Sequence, residues 1–92
     1  MLISEALRGT QIAYVPYHVK RDDEFLNHPD VEYGFIDEAI GDTVFCRFWR
    51  KGEPGNLRTV ANSEGCNPDH LFVTTSVLQG VVEQTIHGIK NS

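Results

Sequence analysis

The stretch from Val31 to Arg58, VEYGFIDEAIGDTVFCRFWRKGEPGNLR, limits what this chain can fold into more than any other part of it. It alternates like two strands and carries most of the large aromatic side chains. Gly41-Asp42 puts glycine first in a two-residue turn, the arrangement of a type II′ hairpin. Counting back from that turn sets Phe35 against Phe48, Asp37 against Cys46 and Ala39 against Val44. Period-two alternation then gathers Val31, Phe35, Val44, Cys46 and Phe48 on a core face, with Tyr33 at its edge. The other face carries Glu32, Gly34, Ile36 and Glu38 opposite Lys51, Trp49, Arg47 and Phe45, with the Trp49 ring covering the backbone at Gly34. A slip of one residue would exchange the two faces.

The flanking segments supply the other elements. A short helical turn is expected in residues 1–9, capped by Ser4 and ended by Gly9. Gln11 to Tyr17, QIAYVPY, reads as the first strand, with Pro16 at its end because proline cannot donate to a ladder. His18 to Asp30, HVKRDDEFLNHPD, has no period and is heavily charged, so it is a long surface loop. Glu53-Pro54-Gly55-Asn56 places proline and glycine where a type II turn needs them, and it leads into a fourth strand, Leu57 to Ala61. Asn62 to His70 is punctuation, with a helical turn at Asn67-Pro68-Asp69. A short fifth strand, Leu71 to Thr74, follows. From Ser76 to Ile89 the period becomes helical: Leu78, Val82, Ile86 and Ile89 share a face, and Ser76 with Gln79 fits a capping box.

At 92 residues there is apolar surface for one core, so residues 1–92 form a single domain. Five short strands, a long first loop, a helical turn before the last strand and a terminal helix describe a mainly β fold. The expected architecture is a small five-stranded SH3-like barrel of the Tudor and KOW kind, spanning about 9–75, with a C-terminal α-helix at about 76–89. The segments GTQIAYVPYH, HPDVEYGFI, VFCRFW and LRTVANSE, spaced as they are, resemble a group of small uncharacterised proteins encoded by phages and prophages. The resemblance covers about residues 9–72. It implies the barrel and a viral origin, and transfers no activity and no site residues.

Several chemistries are argued against by their own requirements. His28-Pro29-Asp30 matches the tripeptide of J-domain co-chaperones, but an acidic segment precedes it and a strand follows, so its expected role is structural. Cys66 and His70 make only one loose ligand pair, with Cys46, His18 and His28 scattered, whereas structural zinc needs two tight pairs. Ser63, Asp69 and His70 come without a nucleophile elbow or a phosphate loop. The expectation is a non-enzyme without metal or cofactor. Two cysteines are too few for a disulfide scaffold and are read as free thiols. No run approaches a membrane span, and the opening MLISEALRGT lacks the basic and long apolar regions of a signal peptide, so a cytoplasmic location is expected, that of the host cell if the chain is phage-encoded.

The net charge of −5 argues against a protein devoted to gripping phosphates. Its distribution carries more information, because eight of the thirteen acids fall between 22 and 42 and half of the eight bases between 47 and 58. The candidate working surface is the outer hairpin face: Phe45, Trp49 and Ile36, with Arg47 and Glu32 at the margin. The alternative is that the N-terminal segment or the last helix covers that face as a second core. Three roles follow. The leading one is a phage accessory protein binding a host or viral protein, with the acidic 22–38 segment steering it toward a basic partner. The second is a nucleic-acid-associated regulator contacting phosphates through Arg47, Arg50, Lys51 and Arg58. The third is a homo-oligomeric virion or assembly component joined through the terminal helix.

Overall fold

A computed structural model describes residues 1–59 and 62–90. Among these residues the fold is mainly β, with six antiparallel strands in one unclosed sheet and one C-terminal α-helix. The strands are β1 (Gln11–Tyr14), β2 (Glu32–Ile40), β3 (Thr43–Arg50), β4 (Glu53–Leu57), β5 (Glu64–Cys66) and β6 (Leu71–Val73), followed by α1 (Gln79–Lys90). Their order is β4-β3-β2-β1-β6, with β5 sharing an edge of β3. The sheet curls enough for Cys66 of β5 and Leu71 of β6 to meet in one core, although among the described residues no ladder joins those two strands.

The β2–β3 hairpin turns at Gly41-Asp42 as expected, and Ile40–Thr43, Ala39–Val44 and Glu38–Phe45 pair in the expected register. Beyond Glu38 the register changes. A bulge at Asp37 brings Ile36 opposite Cys46, Phe35 opposite Arg47 and Gly34 opposite Phe48. The physical reason is Asp37 itself. An unbulged ladder would set its carboxylate against Cys46 in the apolar core, where an ionised group is costly without a partner. The extra residue lets Asp37 reach Arg8 Nη2 at 3.0 Å and Arg47 Nε at 3.5 Å instead. Extra residues in one strand re-aim the side chains that follow. Here the shift moves Phe35 off the expected core face and Ile36 onto it.

Both faces of the hairpin are consequently buried. On one, Ile36, Val44, Cys46 and Phe48 pack with Ile12, Cys66 and Leu71. On the other, Phe35 and Trp49 pack with Leu57 beneath Val82 of α1, flanked by Val77, Ile86 and Ile89. The helix therefore covers the outer face, the alternative the sequence left open. A third cluster, Ala13, Val15, Val19 and Val31 with Phe25, Leu26 and Phe72, ties the long first loop to the sheet.

Other boundaries move for identifiable reasons. The chain leaves β3 at Lys51-Gly52, and Arg50 pairs with Glu53 directly. Pro54, Gly55 and Asn56 then bulge before Leu57 pairs with Trp49, which removes proline from the ladder it cannot serve. The expected type II turn is thus replaced by a bulged strand, and the Val60-Ala61 end of the expected fourth strand lies outside the described residues. The stretch read as punctuation contains β5, whose three residues pair with Val44 to Cys46. The turn at Pro68–His70 forms as expected, with Asn67 accepting from the Asp69 N–H at 2.9 Å. β1 stops at Tyr14, after which the Val15 N–H bonds the His70 carbonyl. Near the N-terminus the turn spans Ile3–Glu5, so Ser4 lies within it and does not cap it.

The expected capping box does not form. Buried Gln11 takes its place, accepting from the Val77 N–H at 2.8 Å and donating to the Val77 carbonyl at 2.7 Å, while Ser76 Oγ donates to the same carboxamide oxygen. Gln79 is spent on the Gly9 carbonyl. The helix start is fixed by β1, and the helix by its apolar stripe.

A Cβ on Gly34 would stand 2.0 Å from the Arg47 carbonyl oxygen and 2.8 Å from Phe48 Cα, both rigid backbone atoms. At Gly41 the space is open and only the positive φ of 59° resists a side chain. Gly34→Ala is therefore expected to destabilise the protein by about 3 kcal/mol or more, against about 1 kcal/mol for Gly41→Ala. Urea unfolding of the two variants checks the order; equal losses would contradict the bulged register.

Candidate functional site

The five residues expected to form an outer patch are not assembled into one. Ile36 is fully buried in the main core. Arg47 is 9% exposed and held beside Asp37, and Trp49 is 5% exposed beneath α1, its ring 5.3 Å from that of Phe35. Phe45 and Glu32 are half-buried, and Glu32 is ion-paired with Arg58. The bulge and the docked helix are the causes: one sends Ile36 inward, and the other roofs Trp49.

The four expected phosphate contacts are divided in the same way. Arg47 is internal. Arg58 bridges Glu32 and Glu64 and lies over the Phe48 ring at 5.4 Å, and the Glu64 bond, ahead of the Glu32 contacts, keeps its guanidinium protonated above its ordinary range. Arg50 and Lys51 remain exposed at the β3–β4 turn, and among the described residues no carboxylate lies within ion-pairing distance of either.

What the fold builds is a cleft of about 290 Å³ where the end of the first loop meets the base of the hairpin. Leu26, Pro29, Val31 and Tyr33 line one wall; Trp49 and the Arg50–Gly52 turn line the other, with Glu32 and Arg58 at one end. Its walls are held by directed bonds. The Tyr33 hydroxyl donates to the Leu26 carbonyl, and Lys51 Nζ donates to the Pro29 carbonyl at 2.8 Å. Burial pushes the Tyr33 phenol above its usual pKa, so the hydroxyl stays a donor at neutral pH. The Trp49 indole N–H is buried and has no acceptor among the described residues, a deficit of about 1–3 kcal/mol for an unsatisfied donor.

His28 and Pro29 line this cleft, and the Asp30 carboxylate bonds the His18 ring, not the nearby backbone. His28 Nδ1 accepts from the Asp30 N–H at 3.0 Å, and the Asp30 carboxylate pairs with His18 Nε2 at 2.6 Å across the loop. Leu26 and Pro29 were not singled out as contact residues from the sequence. The only signal for them was the length of the loop, since isolated apolar residues in a charged segment have no period to betray a shared wall.

The residues weighed for other chemistries are committed elsewhere. His70 is buried, its Nδ1 at 3.1 Å from the Val15 carbonyl, between the rings of Tyr14 and Tyr17. Among the described residues no group of three His, Cys, Asp or Glu side chains is placed to hold a metal, and no helix is long and apolar enough to cross a membrane. Compared with known proteins, the chain matches no family model, no curated protein and no solved structure.

The hydrogen bond from His18 holds the Asp30 carboxyl below its usual range, with the charges of His18, His28 and Lys51 adding to the effect against slight desolvation. A depressed folded pKa means the contribution is present above the unfolded value and is lost as pH falls through the folded one. An NMR titration is expected to place Asp30 below an ordinary aspartate, and His18→Gln to return it upward. An ordinary midpoint in both proteins would mean that the loop is not closed by this pair.

Proposed function

We propose that the chain is a non-enzymatic protein-binding module, built on an SH3-like small barrel, that takes an extended peptide segment in the cleft beside Trp49. The barrel assignment is supported by the strand path β4-β3-β2-β1-β6, the long loop between β1 and β2, and the helical turn directly before β6. Its place among phage-encoded accessory proteins rests on the four sequence segments alone, and the partner in that setting is a host or viral protein.

One observation carries the binding reading: the cleft joins apolar side chains to Trp49, whose buried indole N–H has no acceptor among the described residues, and to Arg50 and Lys51, which among them meet no carboxylate. Apolar floors with a few polar groups are the usual make-up of recognition sites. The rim also selects the occupant. Glu32 is held by Arg58, whereas among the described residues Arg50 and Lys51 meet no carboxylate, so theirs is the charge a ligand would answer. A segment with an apolar side chain for the Leu26–Trp49 gap and a carboxylate for the rim fits these demands. This reading departs from the basic partner expected from the acidic 22–38 segment, because the exposed cations at the cleft, Arg50 and Lys51, meet no carboxylate among the described residues.

The alternatives have less to stand on. With Arg47 internal and Arg58 held by two carboxylates, a phosphate backbone would meet Arg50 and Lys51 only among the four residues first considered. Oligomerisation through the terminal helix would need an apolar face that Val82, Ile86 and Ile89 already spend on the sheet.

The test is a ¹H–¹⁵N titration of the full chain with two peptide pools of equal aromatic content, one acidic and one basic. Acidic peptides are expected to shift the Trp49 indole and the Leu26, Tyr33 and Lys51 amides. Arg50→Glu with Lys51→Glu is expected to weaken that binding by tenfold or more, about 1.4 kcal/mol. Shifts centred elsewhere, or preference for basic peptides, would overturn the assignment of this cleft.

A further inference from the structure

The two cysteines, separate in the sequence, become neighbours across the β3–β5 pair. Cys66 stands opposite Val44 and Glu64 opposite Cys46, which puts the cysteines on a cross-strand diagonal with both side chains in the same core cluster. Both are free thiols, with Cys46 Sγ 3.9 Å from the Val44 carbonyl and Cys66 Sγ donating to the Glu64 carbonyl at 3.5 Å. They differ in access. Cys46 is fully buried, whereas Cys66, itself 7% exposed, borders a second cleft, of about 360 Å³, together with Tyr14, Phe48, Asn67 and His70.

They differ in acidity as well. The neighbouring Cys46 thiol lowers the Cys66 thiol pKa, opposed by burial and by the charges of Glu64 and Glu32. The neighbouring Cys66 thiol, then burial, raises that of Cys46. The more acidic sulfur is thus the one beside the opening, and the less acidic one waits behind it. A thiolate with access to solvent and a resolving thiol at hand is the combination that makes a cysteine redox-responsive.

We propose that Cys46 and Cys66 are a modification site, a dithiol that hydrogen peroxide entering by the Cys66 cleft converts to a disulfide between β3 and β5. The Cys66 thiolate attacks one peroxide oxygen, the O–O bond breaks, and a sulfenic acid forms while the departing hydroxide takes up a proton as water. Cys46 then gives up its proton and attacks the sulfenic sulfur. The S–S bond forms, the S–O bond breaks, and a second water leaves. Two thiols lose two electrons and one peroxide gains them.

Diagonal neighbours on paired strands have Cα atoms about 7–8 Å apart, whereas disulfides favour at most about 6.8 Å. Closure therefore draws β5 inward by at least about 0.2–1.2 Å. β5 is suited to that movement, being three residues long and off the main path of the sheet. A bond formed under such tension is readily reduced, so the modification should be reversible. None of this depends on what the Trp49 cleft binds.

The experiment exposes the native full chain to millimolar peroxide and follows it by intact mass and peptide mapping. Cutting after Arg47 and Arg58 leaves Cys46 and Cys66 on separate peptides. The expected product is a monomer lighter by about 2 Da, carrying a Cys46–Cys66 linked peptide that dithiothreitol separates. In Cys46→Ser, oxidation is expected to stop at a Cys66 sulfenic acid that dimedone traps; in Cys66→Ser, Cys46 is expected to stay reduced. If either variant fails to fold, the map of the unaltered chain decides. Both thiols left intact, oxygen added to Cys66 without a cross-link, or a disulfide joining two chains would each overturn the proposal.

Discussion

The fold depends on where the carboxylate of Asp37 goes. A regular ladder would carry it into the core against Cys46, and the bulge carries it out to Arg8 and Arg47 instead. Because a strand has a period of two, that one extra residue decides the destination of every side chain from Ile36 back to Glu32. Ile36 enters the main core, Phe35 turns to the opposite face, and Gly34 is left under Phe48 where a side chain could not fit. Arg47 is the counterpart of this arrangement. Its buried guanidinium is held beside Asp37, and removing the carboxylate would cost it that partner.

The placement of Phe35 determines what the terminal helix is for. Phe35 and Trp49 make an apolar surface that needs a cover, and α1, weakened by Gly80 and Gly88, needs a surface to dock on. Each supplies what the other lacks. The outer hairpin face becomes a second core, and recognition moves to its rim, where the long first loop arrives. That loop is anchored at several points: Arg21 donates to the Asp69 carbonyl and lies over Phe72, Phe25 packs on Phe72, and Lys51 and Tyr33 hold its far end. A wall fixed in this way can meet a ligand with little ordering cost.

Much of the architecture was legible because it lies in periodicity and turn chemistry. The hairpin turn, the β strands flanking it, the turn at Asn67-Pro68-Asp69 and the Val82, Ile86 and Ile89 part of the helical stripe follow from local rules, whereas Leu78, placed on that stripe, precedes the helix and is exposed. The register beyond Glu38 was not legible, because nothing local distinguishes a bulged aspartate from a paired one; the difference lies in Arg8, 29 residues away in sequence. β5 was missed because Glu64-Gly65-Cys66 has no strand propensity and is a strand only through its pairing with β3. The site followed the register. Glu32, Trp49, Arg50, Lys51 and Arg58 do border one cleft, but Ile36, Phe45 and Arg47 do not, and the loop residues that complete it carried no pattern of their own.

The whole account turns on which side of the sheet Phe35 occupies, and nuclear Overhauser contacts in the full chain read that directly. The bulged register predicts cross-peaks from the Phe35 ring to the Trp49 ring and the Val82 methyl groups, with Ile36 contacting Ile12. Contacts from Phe35 to Cys46 and Phe48, with Ile36 exposed, would contradict it and return the outer face to solvent.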